Sequence, residues 1–142
     1  MGRRIDTSID IGAPRERVWA VLLDFAAYPQ WNPFIKKISG RVLVGETLEA
    51  LIEPPGRAAQ TFRPTVIRVD PEFGFAWQGS LPIPGLFTGE HVFALSNIAG
   101  GTRFDHSESF SGLLVPMLGG VLRDSEIGFR AMNEALRQRA QV

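Results

Sequence analysis

The sequence predicts an α+β fold in which one long C-terminal helix lies across a curved antiparallel sheet of about seven strands. Three observations predict it. A two-residue alternation of apolar and polar side chains opens the chain and returns through much of the region after Phe34. A helical period appears only just after the first strand and again over the C-terminal segment. The 15 glycines and 10 prolines supply the turns that many short strands need. At 142 residues the chain reads as one domain, 1–142. It is long enough to bury roughly 70% of its unfolded-state surface with no disulfide or metal.

The elements follow in order. Ile5, Thr7, Ile9 and Ile11 alternate with Arg4, Asp6, Ser8 and Asp10, which makes a half-buried strand. Gly12-Ala13-Pro14 ends it, and Pro14 suits the first turn of a helix that runs to about Phe25. That helix buries Val18, Trp19, Val21, Leu22 and Phe25. Pro29 and Pro33 then limit the Tyr28–Phe34 segment to a short aromatic turn, a second short helix. Leu48, Ala50 and Ile52 mark a strand closed by Pro54-Pro55-Gly56. A strand over about 60–69 contains Arg63-Pro64, so it belongs at an edge or a bulge. Phe73, Phe75 and Trp77 alternate in the next strand, and Pro82-Ile83-Pro84-Gly85 forms a stiff loop. His91, Phe93 and Leu95 share one face of the following strand. After a turn within 97–101, Phe104, His106, Glu108 and Phe110 share one face of the last. Leu118, Leu122, Ser125, Phe129, Met132 and Leu136 then form the stripe of the long helix.

Composition excludes several functions. Fifteen basic and fifteen acidic residues cancel, leaving no electrostatic footprint for nucleic acid or an anionic membrane. With no cysteine there is no thiol catalysis and no cysteine-held metal. No apolar run approaches the ~18 residues of a membrane span. Arg3-Arg4 lacks the apolar stretch of an export signal, so a cytoplasmic location with no stable membrane insertion is expected. No glycine-rich phosphate loop and no Gly-x-Ser-x-Gly elbow occurs. The two histidines, with Glu108, fall short of a usual zinc or non-haem iron set, so neither metal nor cofactor is expected. The sequence leaves the oligomeric state open.

Ile11-Gly12-Ala13-Pro14, Val18-Trp19, Leu23-Asp24-Phe25, Tyr28 and Trp31-Asn32-Pro33-Phe34 resemble the N-terminal signature of the START/Bet v 1-like (SRPBCC) superfamily. Within it, the chain is similar to the polyketide cyclase/dehydrase and lipid-transport group. Trp77-Gln78-Gly79, His91-Val92-Phe93, Gly101-Thr102-Arg103 and Glu108-Ser109-Phe110-Ser111-Gly112 resemble that group's C-terminal half. The resemblance covers nearly the whole chain. It implies the helix-grip fold with a deep cavity between sheet and helix, and it implies little about chemistry. Members range from hydrophobic-ligand carriers to aromatase/cyclases, and function belongs to the site rather than the fold.

The polar residues on apolar-parity positions are His91, His106 and Glu108. One hairpin register sets His91 opposite Glu108 and Phe93 opposite His106; another sets His91 opposite His106. Either brings side chains within ~5 Å. They can be mutually satisfied core groups, orient a ligand, or move protons as candidate catalytic residues. The expected lining of a ligand cavity is Trp31, Phe34, Phe62, Phe75, Trp77, Phe93, Phe104 and Phe110, with Met117 and Val121 from the C-terminal segment. The expected partner is a lipid-like or aromatic polyketide-like small molecule. Two alternatives are a cyclase/dehydratase-type enzyme and, more weakly, a protein-interaction module docking through the Trp31–Phe34 turn. The cavity mouth is expected between that turn and Pro82–Gly85.

Overall fold

A computed structural model describes residues 2–142. Strand β1 (Gly2–Ile11) leads through Pro14 into α1 (Arg15–Leu23) and then α2 (Tyr28–Trp31). Six further strands precede the final hairpin strand: β2 (Ile35–Ser39), β3 (Glu49–Ile52), β4 (Gln60–Phe62), β5 (Thr65–Asp70), β6 (Gly74–Ser80) and β7 (Thr88–Ile98). Strand β8 (Gly101–Ser111) and helix α3 (Gly119–Ala140) complete the chain. The class is α+β with a long C-terminal helix over an antiparallel sheet.

The described residues form eight strands rather than about seven. The 60–69 segment is two strands, because Pro64 lacks the N–H that a continuous ladder would use. Strand β4 pairs with β3, whereas β5 pairs with β6. Strand β2, which pairs with β3, is the other addition. The two sheets run β1-β8-β7-β6-β5 and β2-β3-β4. Bonds from Gly45 N–H to the Val66 carbonyl and from Leu48 N–H to the Pro64 carbonyl stitch them together. Pro14 stands just before α1 rather than inside it, and α1 stops two residues short of Phe25.

Helix α3 has 22 residues, so it is about 33 Å long. Its buried side includes Leu122, Phe129, Met132, Asn133 and Leu136. Asn32 anchors its cover on the other flank: Oδ1 accepts the N–H groups of Phe34 and Ile35, both at 2.9 Å. That turn aims Phe34 at the helix, where its ring lies against Gly128 and 5.4 Å from the Phe129 ring.

Candidate functional site

The two-residue turn at Ala99-Gly100 decides the open register. His91 lies opposite Glu108, and Phe93 opposite His106. Gly100 takes a φ of 82°, which glycine adopts without strain. Both histidines then face α3. The ring of His91 stacks between Phe93 (4.4 Å between centroids) and Phe129 (4.8 Å), and that of His106 stacks on Phe129 at 4.1 Å.

These rings form a hydrogen-bonded chain. His91 Nε2 and His106 Nε2 are 2.7 Å apart, and His106 Nδ1 is 2.8 Å from Asn133 Oδ1 on α3. Asn133 Nδ2 donates to Thr7 Oγ1 on β1 at 2.8 Å, and Thr7 donates to the His106 carbonyl at 2.6 Å. At the other end, Glu108 Oε1 is 3.4 Å from His91 Nδ1. Burial pushes Glu108 up to about 8 and His91 down to about 3. His106 is also held well below the usual histidine range, first by burial and then by His91. Burial therefore favours the uncharged form of both imidazoles and of the Glu108 carboxyl. The Glu108 side chain is 19% exposed, whereas His91 and His106 are sealed.

Thr7 and Asn133 were not among the sequence-derived candidates. Thr7 passes for a β-branched strand residue. Asn133 carried a signal: it sits four residues after Phe129 and three before Leu136, inside the apolar stripe.

The expected lining divides. Phe34, Phe75, Trp77, Phe93, Phe104 and Phe110 are buried, and Val121 is half-buried. They pack against one another: Phe75 stacks on Phe93 at 4.5 Å, and Trp77 lies 4.9 Å from His91. Two expectations fail. Phe62, opposite buried Ala50, is 47% exposed because β4 is the free edge of its sheet. Met117 is 79% exposed because it lies in the turn before α3 rather than on the helix.

The expected mouth also fails. Trp31 and Pro82–Gly85 lie towards opposite ends of α3. Gln30 receives a bond from Arg139 near the helix C-terminus, whereas Gly85 and Leu86 bond Leu113 and Leu114 before its start. A depression of about 170 Å³ is lined by Arg17, Ala20, Val21, Asp24, Trp31 and Arg139. An open one of about 630 Å³ runs along Gly12–Glu16 and the β7–β8 turn. Neither touches His91, His106 or Glu108.

Among the described residues, no group of three or more His, Asp or Glu side chains is placed to hold a metal ion. Nor is any helix long and apolar enough to cross a membrane.

A sequence profile described as polyketide cyclase / dehydrase and lipid transport matches residues 3–141. The chain belongs to that family. No curated protein matches it in sequence. Solved structures of the START/Bet v 1-like superfamily share the family member's fold at low identity. The Zhui aromatase/cyclase from a Streptomyces species superposes with a TM-score of 0.78 at 15% identity, over 99% of this chain and 94% of that one. A START superfamily protein from Mycobacterium smegmatis gives 0.72 at 21% identity, over 96% of both chains. A point mutant of Thalictrum flavum norcoclaurine synthase gives 0.74 at 16% identity, over 99% and 94%. These likenesses establish the helix-grip fold and nothing finer.

Proposed function

We propose that this family member binds a hydrophobic, lipid-like or aromatic small molecule, which enters where the sheet meets the start of α3 and reaches Glu108. One observation carries the reading. The Glu108 carboxyl, which burial pushes towards its neutral form, is 19% exposed at one end of a polar chain whose other members, His91, His106, Asn133 and Thr7, are buried. It lies about two strand positions, ~7 Å, from Phe110. Phe110 in turn touches Phe87 of the loop that bears exposed Leu81 and Ile83, and the neighbouring turn bears exposed Leu113 and Met117. A line of apolar side chains running from a single polar anchor to an exposed apolar loop and turn is what an apolar ligand with one polar group needs.

The cyclase/dehydratase reading is weaker. Glu108, pushed up to about 8, titrates near a neutral working pH, but burial holds both histidines neutral well below it, so the carboxyl has no titrating partner with which to relay a proton.

Native mass spectrometry of freshly purified protein tests the binding reading, together with displacement of anilinonaphthalene sulfonate fluorescence. A recurrent bound mass is expected, and Leu113→Ser and Met117→Ser should weaken binding while leaving the thermal transition in place. Absence of any bound mass, with dye binding unchanged in both variants, refutes the reading.

A further inference from the structure

We infer that the buried polar chain has a fixed direction, and that this direction makes the second oxygen of Glu108, Oε2, a hydrogen-bond acceptor selecting an apolar ligand that bears a hydroxyl group. The selectivity rests on the ligand-binding reading above; the direction of the chain does not.

The direction starts at a group that can only accept. The His106 backbone carbonyl takes the Thr7 hydroxyl proton, so Thr7 has none left for Asn133. Asn133 must then turn its NH₂ group towards Thr7 and its amide oxygen towards His106 Nδ1. An amide oxygen only accepts, so His106 carries a proton on Nδ1. One further proton lies between the two Nε2 atoms, 2.7 Å apart. Placing it on His106 would create a fully buried imidazolium with no carboxylate in ion-pair range among the described residues. His91 is therefore the donor, and its Nδ1 turns a lone pair towards Glu108 Oε1. Moving the carboxyl proton onto that nitrogen would bury a charged ring between Phe93 and Phe129 with only a 3.4 Å contact to the carboxylate. The neutral pair is favoured, and in it a proton on Oε1 faces the lone pair. The carboxyl proton accordingly sits on Oε1, and Oε2 is left without one.

The other groups packed against Glu108 do not disturb this inventory. Ile5 lies opposite it on β1, Gly89 stands two residues before His91 on β7, and Phe110 stands two residues after it on its own strand. Among the described residues, His91 is the only basic group within ion-pair range. Gly89 makes the placement possible, since a Cβ there would stand 2.5 Å from Oε2. The carboxyl–imidazole pair is neutral as a whole, so it offers no Coulomb attraction to an ammonium group. An unprotonated oxygen in an apolar setting accepts from a hydroxyl and has nothing to give to an ether or ketone.

Two measurements decide the matter. In ¹⁵N-histidine, ¹³C-glutamate-labelled wild-type protein at neutral pH, NMR should find His106 protonated at Nδ1 only, His91 at Nε2 only, and Glu108 as the acid. His106 protonated at Nε2 instead, or an ionised Glu108, overturns the direction. The second compares 2-naphthol with 2-methoxynaphthalene, which share one ring system and differ in the donor. The naphthol should bind roughly fivefold tighter, about what one added hydrogen bond supplies. Gly89→Ala, which displaces the carboxyl, should erase the difference. Equal affinities in wild type overturn the selectivity alone. Binding of neither probe overturns the ligand-binding reading and the selectivity together, and the tautomers still decide the direction.

Discussion

Gly128 offers a sharp test of how tightly α3 is gripped. It lies at mid-helix, where replacing glycine by alanine ordinarily stabilises a helix by about 1 kcal/mol. Here the added methyl would stand 2.6 Å from Phe34 Cε1 and 3.1 Å from Cγ, and closer still to Cδ1. Real carbon contacts do not come that close, so the ring must move by roughly an ångström against its usual separation of about 3.5–4 Å. The ring is 2% exposed and packed on Phe129, and the Asn32 turn holds its backbone. It has no free direction. Overpacking of this kind costs about 1–3 kcal/mol, and three short contacts on a confined ring place it in the upper half. Subtracting the helix gain leaves Gly128→Ala destabilising by about 1–2 kcal/mol. For a chain of this size that lowers the melting midpoint by about 3–6 °C. Urea unfolding should show a lower midpoint at an unchanged slope. In a Phe34→Leu background the clash is gone and only the helix gain remains, so the same substitution should stabilise. The double-mutant cycle should therefore give a coupling of at least ~1 kcal/mol. If Gly128→Ala raises stability in the wild-type background, the close packing of Phe34 on α3 is wrong.

Two further outcomes follow from the buried polar chain. Because folding raises Glu108 to about 8, the unfolded chain loses a proton that the folded chain keeps between roughly pH 4.5 and 8. Stability therefore falls as pH rises across that window, by up to about 1.4 kcal/mol per unit. The two histidines act oppositely: below about pH 6.5 the unfolded chain takes up protons that the folded one refuses, so stability falls as pH falls. Two histidines outweigh one carboxyl on the acid side, which places the maximum in urea midpoint between about pH 6 and 7. Glu108→Gln should flatten the alkaline decline, and a steady rise from pH 6 to 8 in the wild type would contradict the scheme. Thr7→Val keeps the shape of the side chain but leaves Asn133 Nδ2 unpaired and removes the hydroxyl's bond to the His106 carbonyl. Calorimetry should find it destabilised by about 1–3 kcal/mol, with Thr7→Ser losing less.

The alternations of β1, β7 and β8 and the stripe of α3 were plain in the sequence, because period and face follow from local geometry alone. The polar trio His91, His106 and Glu108 was legible for the same reason: parity put all three inward. Periodicity does not register which residues meet across a turn or between elements. Only the Ala99-Gly100 turn set His91 opposite Glu108. Only the docking of α3 on β1 and β8 brought Asn133 to both His106 and Thr7, residues far apart in the chain. The exposure of Phe62 and Met117 was hidden because parity gives a side chain's face and not which strand is a free edge or where the covering helix begins. The aromatic packing between sheet and helix escaped for a similar reason. Residue types show that rings face inward, whereas the space left between them depends on how closely α3 approaches, and Gly128 against Phe34 sets that distance.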